Sequence, residues 1–304
     1  MTSTFIHLGL PKAGSTSLQS FFEKQVAFNY LGKRVPNRYG FVDPSLFSLI
    51  RENVVYGHSV TNEIRERALG LLSNDQPNVL SDELLSGVGF HNFKSNEFPP
   101  LEPILQRLNE VFDMPQFIVV LREQFSLLRS YYRQLLRVGY SLTYAGFAEA
   151  VLNGKFGILD RLSYADFCSN VLNYKSKIVF FEKLFLNNRI DVDYLGSAFD
   201  SCVELKQVSQ TVENRSNATF DTIFNELSEN RETKRLAGTW ITDDEMIEDA
   251  KNFANVKQNK NCFYCPLQIL EALKQRFEIQ NEKLTEILAT TIPQSYLENC
   301  SVPG

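Results

Sequence analysis

The hydrophobic residues between positions 4 and 181 follow two alternating patterns. Short apolar runs rich in β-branched residues, each followed by a polar or glycine-containing turn, predict buried strands. The segments between them carry apolar residues at helical spacing and predict amphipathic helices. The predicted strands span residues 4–8, 53–56, 78–80, 116–121 and 177–181. The predicted helices span residues 15–25, 62–72, 100–112, 126–136, 142–152 and 164–174.

Strands and helices that alternate in this way need crossover connections, which favour a parallel sheet covered by helices. We therefore expect an α/β fold in which one domain over residues 1–304 has a central parallel sheet of about five strands flanked by helices. Residues 1–184 would form the α/β core, and residues 185–304 a mostly helical C-terminal part. There, the helical pattern of residues 267–288 is expected to pack on the sheet or on a partner subunit of a homo-oligomer.

The balance of charged residues argues against nucleic acid and anionic membranes as partners. Lys and Arg number 31 against 36 Asp and Glu, a net charge of −5. No overall positive field therefore attracts nucleic acid or an anionic membrane, and any anionic ligand must be bound by a local cluster.

Two further features favour a cytoplasmic protein. The N-terminal residues lack the pattern of a signal peptide, and no segment approaches the roughly 20 apolar residues of a membrane span. The five cysteines are odd in number and widely spread, which is typical of reduced thiols rather than of a disulfide scaffold. We interpret Cys262 and Cys265, an isolated CxxC pair, as incidental thiols rather than as a zinc or redox site.

The segment after the first predicted strand has the pattern of a phosphate-binding loop. A turn containing Gly9 and Gly14 leads into the hydroxyl residues 15–17 at the start of a helix. The N–H groups at a helix N-terminus are unpaired and carry the positive end of the helix dipole, so a phosphate can bind there. Glycine lets the backbone approach such a ligand closely.

The position of the lysine in this loop argues against a kinase or ATPase. The ordinary triphosphatase loop has lysine directly after the second glycine. Here Ser15 follows Gly14, and the lysine is Lys12, where it can neutralise charge on a leaving oxygen of a bound 5′-phosphate group. The alternative is an ordinary turn with a solvated lysine.

A second anion site is predicted at the end of the fourth strand. Arg122 follows that strand directly, and Ser130 lies eight residues later within the next helix. Ligands of open α/β sheets bind beyond the carboxyl ends of the strands, so Arg122 and the first loop can share one ligand. A guanidinium and a hydroxyl together suit a phosphate monoester. The alternative is a structural or solvated arginine.

Three further arginines, Arg129, Arg133 and Arg137, follow at intervals of four residues on one predicted helix face. They form either a solvated stripe or a basic wall that faces an anionic acceptor or cofactor.

Both sites resemble motifs of the sulfotransferases that use 3′-phosphoadenosine-5′-phosphosulfate (PAPS). The segment Pro11-Lys-Ala-Gly-Ser-Thr-Ser17 resembles the family's 5′-phosphosulfate loop at every position. Arg122 and Ser130, followed by Tyr131 and Tyr132, resemble its 3′-phosphate motif, and residues 178–184 resemble its later strand. The resemblance implies a P-loop-like sulfotransferase fold of the bacterial type, with PAPS as sulfate donor, 3′,5′-adenosine bisphosphate (PAP) as product, and no metal. It implies that the cofactor-binding residues are Pro11, Lys12, Ala13, Gly14, Ser15, Thr16, Ser17, Arg122 and Ser130.

Sulfuryl transfer resembles phosphoryl transfer, in which catalysis is mainly positioning and charge stabilisation. Lys12 and the loop donors would serve the leaving side, and a general base would accept the proton of the acceptor. Glu83 follows the third strand and is our first choice, because glycan-modifying sulfotransferases use a glutamate as base; the alternative is a helix-capping carboxylate. His58, after the second predicted strand, is the second choice. We interpret His7, within the first strand, as a core histidine.

The sequence thus predicts a soluble sulfotransferase that moves a sulfuryl group from PAPS to a hydroxyl or, as second choice, an amine. The acceptor would be a small molecule or glycan, in a cleft shaped by residues 185–265. The alternatives are an atypical P-loop small-molecule kinase, for which Asp82 is the candidate magnesium ligand, and a non-catalytic nucleotide-binding or scaffolding protein on the same fold.

Overall fold

The computed structural model describes residues 2–33, 50–57, 60–87, 99–137, 143–154, 158–187, 189–199, 203–208, 265–289 and 292–298. Its central sheet has five parallel strands in the order β2-β3-β1-β4-β5. The strands are β1 (Thr4–Gly9), β2 (Asn29–Tyr30), β3 (Asn78–Asp82), β4 (Gln116–Leu121) and β5 (Ser176–Phe180). Every residue of β1, β3 and β4 is buried, as a sheet covered by helices requires. The predicted α/β fold is confirmed.

The described helices flank this sheet. They are α1 (Ser15–Glu23), α2 (Asn62–Leu69), α3 (Leu101–Phe112), α4 (Gln124–Arg137), α5 (Tyr144–Leu152), α6 (Ile158–Leu162), α7 (Tyr164–Leu172), α8 (Phe181–Leu184), α9 (Val192–Gly196), α10 (Leu267–Leu288) and α11 (Ser295–Glu298). A short antiparallel hairpin of β6 (Phe185–Leu186) and β7 (Arg189–Ile190) follows α8. Helix α10 has the predicted bounds and packs against α5, α7 and α11.

The prediction of a strand at residues 53–56 is wrong. Residues Ile50–Val55 form a π-helical turn, and the edge strand is β2, which pairs with Asn78 and Val79. Val54 and Val55 are buried as the apolar pattern indicates, but their carbonyl groups accept hydrogen bonds from the Arg107 side chain rather than from a strand. A short apolar run is compatible with either structure, because periodicity does not separate a buried strand from a buried helical turn.

Helix α4 begins at Gln124, two residues before the predicted start. The Glu123 carboxylate accepts hydrogen bonds from the backbone N–H groups of Phe125 and Ser126, at 2.8 and 2.7 Å. A carboxylate at this position accepts hydrogen bonds from the otherwise unpaired N–H groups of the first turn. Its negative charge also interacts favourably with the positive end of the helix dipole. The helix therefore starts almost directly after Arg122, which fixes the turn between β4 and α4.

None of the helices in the described part of the chain is both long enough and apolar enough to cross a membrane. Cys168 and Cys265 are buried free thiols. Cys202, Cys262 and Cys300 lie outside the described residues.

His7 is a core residue, as interpreted from the sequence. It is 1% exposed, and its Nδ1 lies 2.7 Å from Ser81 Oγ. Its Nε2 is buried without a hydrogen-bond partner in the described structure. Burial lowers the pKa of His7 from 6.5 to about 4, although the nearby Glu83 carboxylate opposes this shift.

We expect His7 to make the protein less stable at mildly acid pH. The unfolded chain binds a proton at this histidine below about pH 6.5, whereas the folded protein does not until about pH 4. Between pH 7 and 5 the free energy of unfolding should therefore fall by about 2 kcal/mol more in the wild type than in His7→Gln. Urea unfolding at both pH values measures this difference. Equal losses in the two proteins would contradict the prediction.

Candidate functional site at the carboxyl edge of the sheet

The candidate site lies where the order of the strands reverses. The chain runs from β1 to β2 and β3 on one side of the sheet and then to β4 and β5 on the other. In register, Leu8 of β1 lies beside Asp82 of β3, and Gly9 lies beside Val120 of β4. The segments after β1, β3 and β4 therefore leave the same edge of the sheet, which is where open α/β sheets bind ligands.

The loop between β1 and α1 is a compact turn with two left-handed residues. Lys12 has φ +70° and Gly14 has φ +84°. The Leu10 carbonyl accepts hydrogen bonds from the Ala13 N–H at 3.1 Å and from the Ser15 hydroxyl at 3.3 Å. A left-handed conformation costs a residue with a side chain roughly 1–2 kcal/mol. The surrounding contacts must therefore hold Lys12 in place.

Both glycines of the loop are required by packing. A methyl group at Gly9 would lie 2.4 Å from Ser15 Oγ, and one at Gly14 would lie 2.5 Å from Cε2 of Phe185 in the β6–β7 hairpin. The first turn of α1 can therefore fold back closely over the end of β1. The sequence indicates glycine for ligand approach, but these neighbours belong to the protein itself.

The start of α1 keeps donors that no side chain of the loop caps. Gly14 at the N-cap supplies no side-chain hydrogen bond, so the first N–H groups of the helix are not capped from that position. Thr16 is exposed, and Lys12, Gly14 and Ser17 are half-buried. The other predicted loop residues, Pro11, Ala13 and Ser15, are buried. They shape the loop and do not face solvent.

Arg122 joins the two predicted anion sites. Its Nη1 donates a hydrogen bond of 2.7 Å to the main-chain carbonyl of Lys12, and its guanidinium lies 4.6 Å from the centre of the Phe181 ring. Burial lowers the pKa of Arg122, and the Glu182 carboxylate opposes this shift. Arg122 Nε is buried and has no hydrogen-bond partner in the described part of the chain. A positive charge is thus held beside the loop with one donor still unpaired.

Helix α4 reaches the same loop. Lys12 Nζ lies 3.4 Å from Oε1 of Gln134, and Ser130 is half-buried one helical turn earlier. Residues four apart share a helix face, so Ser130 lies on the side of α4 that faces Lys12. The predicted residues Lys12, Arg122 and Ser130 are therefore brought to one place.

Glu83 begins a 3₁₀ turn directly after β3 and is held by two side chains. Its Oε2 accepts a hydrogen bond of 2.9 Å from Gln19 of α1, and its Oε1 pairs with Lys33 Nζ at 3.0 Å. Burial acts to raise the pKa of Glu83, but Lys33 and Gln19 outweigh it and hold the pKa below its usual value. The carboxylate is therefore ionised at neutral pH and lies beside α1.

The other candidates take different places. His58 lies outside the described residues. Arg133 is exposed, whereas Arg129 is half-buried near Tyr144, so these two do not form a uniform solvated stripe. The side chain of Arg137 lies outside the described residues.

Sequence reasoning missed four contacts of the site: Gln134 beside Lys12, Phe181 beneath Arg122, and Gln19 and Lys33 on Glu83. The contact of Gln134 could have been predicted from the sequence, because Gln134 follows Ser130 by one helical turn. The contact of Lys33 could not, because Lys33 follows the two-residue strand β2, which is too short to show a pattern.

The residues present fit a ligand with two phosphate groups. Lys12 and the start of α1 could hold one phosphate, while Arg122 and Ser130 could hold another. The buried Nε of Arg122 has no hydrogen-bond partner in the described structure. The hydrogen bond from Arg122 to the Lys12 carbonyl keeps the two sites side by side.

No protein-family model matches this sequence, and no curated protein matches it. Among solved structures, the fold is similar to that of a sulfotransferase from Alicyclobacillus acidocaldarius, with a TM-score of 0.48. The two chains are 12% identical, and the similarity covers 97% of this chain and 99% of the other. A likeness of this degree assigns neither a family nor an activity, so function has to be inferred from the site residues.

We expect Gly14→Ala to destabilise the protein more than Gly154→Ala. Both glycines have positive φ, but a methyl group at Gly154 meets nothing within 4 Å, whereas one at Gly14 meets the Phe185 ring. Gly154→Ala should cost about 1–2 kcal/mol for its backbone conformation alone, and Gly14→Ala should cost about 1–3 kcal/mol more because the ring must move. Urea unfolding of both variants measures the difference. Equal losses would show that the ring gives way freely.

Proposed function

We propose that the protein is a sulfotransferase that transfers a sulfuryl group from PAPS to a hydroxyl group or, as second choice, to an amine. The observation that carries this proposal is the 2.7 Å hydrogen bond from Arg122 to the Lys12 carbonyl. It joins two motifs that are 110 residues apart in the chain and that each resemble one phosphate-binding motif of the PAPS-dependent family.

The loop geometry also favours this function over phosphorylation by a triphosphate. The position that holds lysine in triphosphatase loops is filled by Ser15, which is 5% exposed and hydrogen-bonded to the Leu10 carbonyl. Asp82, the candidate magnesium ligand, is only 2% exposed, which also argues against a site for magnesium and a triphosphate. The lysine of this loop is instead Lys12, within the turn, and its half-buried side chain contacts Gln134 of α4.

PAPS would supply the sulfuryl group as substrate. The acceptor oxygen forms the new S–O bond while the bond from sulfur to the 5′-phosphate oxygen breaks. Lys12 would neutralise the charge that develops on that leaving oxygen, as preorganised cations do in related transfers. Arg122 and Ser130 would bind the 3′-phosphate and hold the donor in line.

Glu83 is the proposed general base that accepts the acceptor proton. Its carboxylate follows β3 at the same edge of the sheet, and Lys33 keeps it ionised, which is the form that can accept a proton. His58 is the alternative base, and its position lies outside the described residues.

Ligand binding tests the proposed donor. We expect PAP to raise the melting temperature and to bind in calorimetry, whereas ATP with magnesium should do neither. Lys12→Ala should weaken PAP binding and turnover together, by about tenfold or more, because a charge-assisted contact is lost. The matched control is Lys177→Ala, since Lys177 is exposed at the opposite, amino-terminal end of β5. Stabilisation by ATP and not by PAP would refute the proposal.

The pH dependence of sulfate transfer tests the proposed base. Activity needs ionised Glu83, so the rate should fall as the pH drops through the lowered pKa of Glu83. Lys33→Met removes the largest of the interactions that lower the pKa of Glu83, so the pKa should rise and the acid limb of the profile should move to higher pH. Glu83→Gln should abolish turnover and leave PAP binding intact.

His58→Asn is the comparison for the base, with PAP binding again as the control. If His58→Asn abolishes turnover while Glu83→Gln retains it, the role of base passes to His58.

A further inference from the structure

The turn between β4 and α4 is tied to the C-terminal helix by a buried pair of amides. Gln124 Nε2 donates to Asn281 Oδ1 at 2.7 Å, and Asn281 Nδ2 donates to Gln124 Oε1 at 3.2 Å. Both side chains are 1% exposed, and they are 157 residues apart in the chain. Asn281 Nδ2 also donates to the carbonyl of Tyr296 at 2.8 Å. Asn281 therefore joins the turn, α10 and α11.

A second path leads from the same elements back to the turn. The Tyr296 hydroxyl donates to Oε2 of Glu182 at 2.9 Å, and Oε1 of Glu182 accepts the backbone N–H of Glu123 at 2.9 Å. The two paths close a ring of hydrogen bonds that begins at Gln124 and ends at the adjacent Glu123. In addition, the Tyr164 hydroxyl donates to the main-chain carbonyl of Arg122.

Because the amide pair of this ring is buried, breaking it is costly. A buried amide that loses its partner keeps the full cost of its desolvation, so the pair holds together or both members are left unsatisfied. Arg122, Glu123 and Gln124 are each held by a side chain from a helix other than α4. The direction in which the Arg122 side chain leaves the backbone is thereby fixed, and with it the reach of the guanidinium toward the loop.

We propose that Asn281 is a positioning residue that fixes Arg122 and so sets the preference of the site for a nucleotide with a second phosphate. The inference rests on the proposed function, in which Arg122 binds the 3′-phosphate. Asn281 touches neither Arg122 nor any residue of the first loop in the described hydrogen bonds, and it acts through Gln124.

The test compares two ligands in calorimetry: PAP, and adenosine 5′-monophosphate, which lacks the 3′-phosphate. In Asn281→Leu we expect the affinity for PAP to fall about tenfold and that for the monophosphate to stay within about twofold of the wild type. A purely structural role predicts a different result, because it lowers both affinities together or neither. Either of those results would overturn the inference.

Gln280→Leu is the matched control. Gln280 precedes Asn281 and also ties α10 to the core, through Ala165 and Asp166 of α7, but it does not contact the turn at Arg122. It should lower the melting temperature and leave the ratio of the two affinities unchanged. A change in that ratio as large as in Asn281→Leu would show that docking of α10 in general, and not Asn281, matters.

Gln124→Met provides the same test from the other side of the pair if Asn281→Leu does not fold. It keeps the side-chain length and removes the amide, and we expect the same selective loss of PAP affinity. The double variant Gln124→Met/Asn281→Leu should lose no more than the larger single effect, because both act through one contact. Failure of the wild type itself to bind PAP would instead refute the proposed function, and this inference with it.

Discussion

The hydrogen bond from the Arg122 guanidinium to the main-chain carbonyl of Lys12 is the contact on which the geometry of the site depends. A carbonyl that accepts from a half-buried cation cannot rotate away without leaving that cation poorly paired. The contact therefore helps to hold Lys12 in its left-handed conformation, and it sets the distance between the two motifs. The loop, the end of β4 and the face of α4 behave as one unit because of it.

This unit is supported from outside the sheet on both sides. On the side of the loop, the Phe185 ring of the β6–β7 hairpin fills the space next to Gly14. On the side of the turn, helices α7, α8 and α10 supply the groups that hold residues 122–124. Elements that carry none of the predicted site residues thus determine the shape of the site, which is the usual requirement for a preorganised group of ligand contacts.

The sequence was sufficient for the parts of the fold that depend on local pattern. The four longer strands contain short apolar runs and helix α10 has apolar residues at helical spacing, and both patterns can be seen without knowing what each element packs against. Strand β2 was missed because two residues give no period, and residues 53–56 were assigned wrongly because burial alone does not distinguish a strand from a helical turn.

The site was predicted to the extent that its chemistry lies in short motifs. Lys12, Arg122 and Ser130 come together because parallel strands end at one edge, a rule that needs only the order of the elements. Lys33, Phe181 and Asn281 could not be found in this way. Their roles arise from contacts between segments that are far apart in the chain, and a single sequence holds no record of such contacts.

The pairing of Gln124 with Asn281 has a consequence for how the molecule is made. The ribosome releases Gln124 long before α10 emerges, since Gln124 and Asn281 are 157 residues apart in the chain. Until then Gln124 has no amide to meet it, and the backbone around Arg122 is held by fewer groups. A nascent chain would therefore contain Lys12, Arg122 and Ser130 of the candidate site while still lacking one of the contacts that hold residue 124 in place.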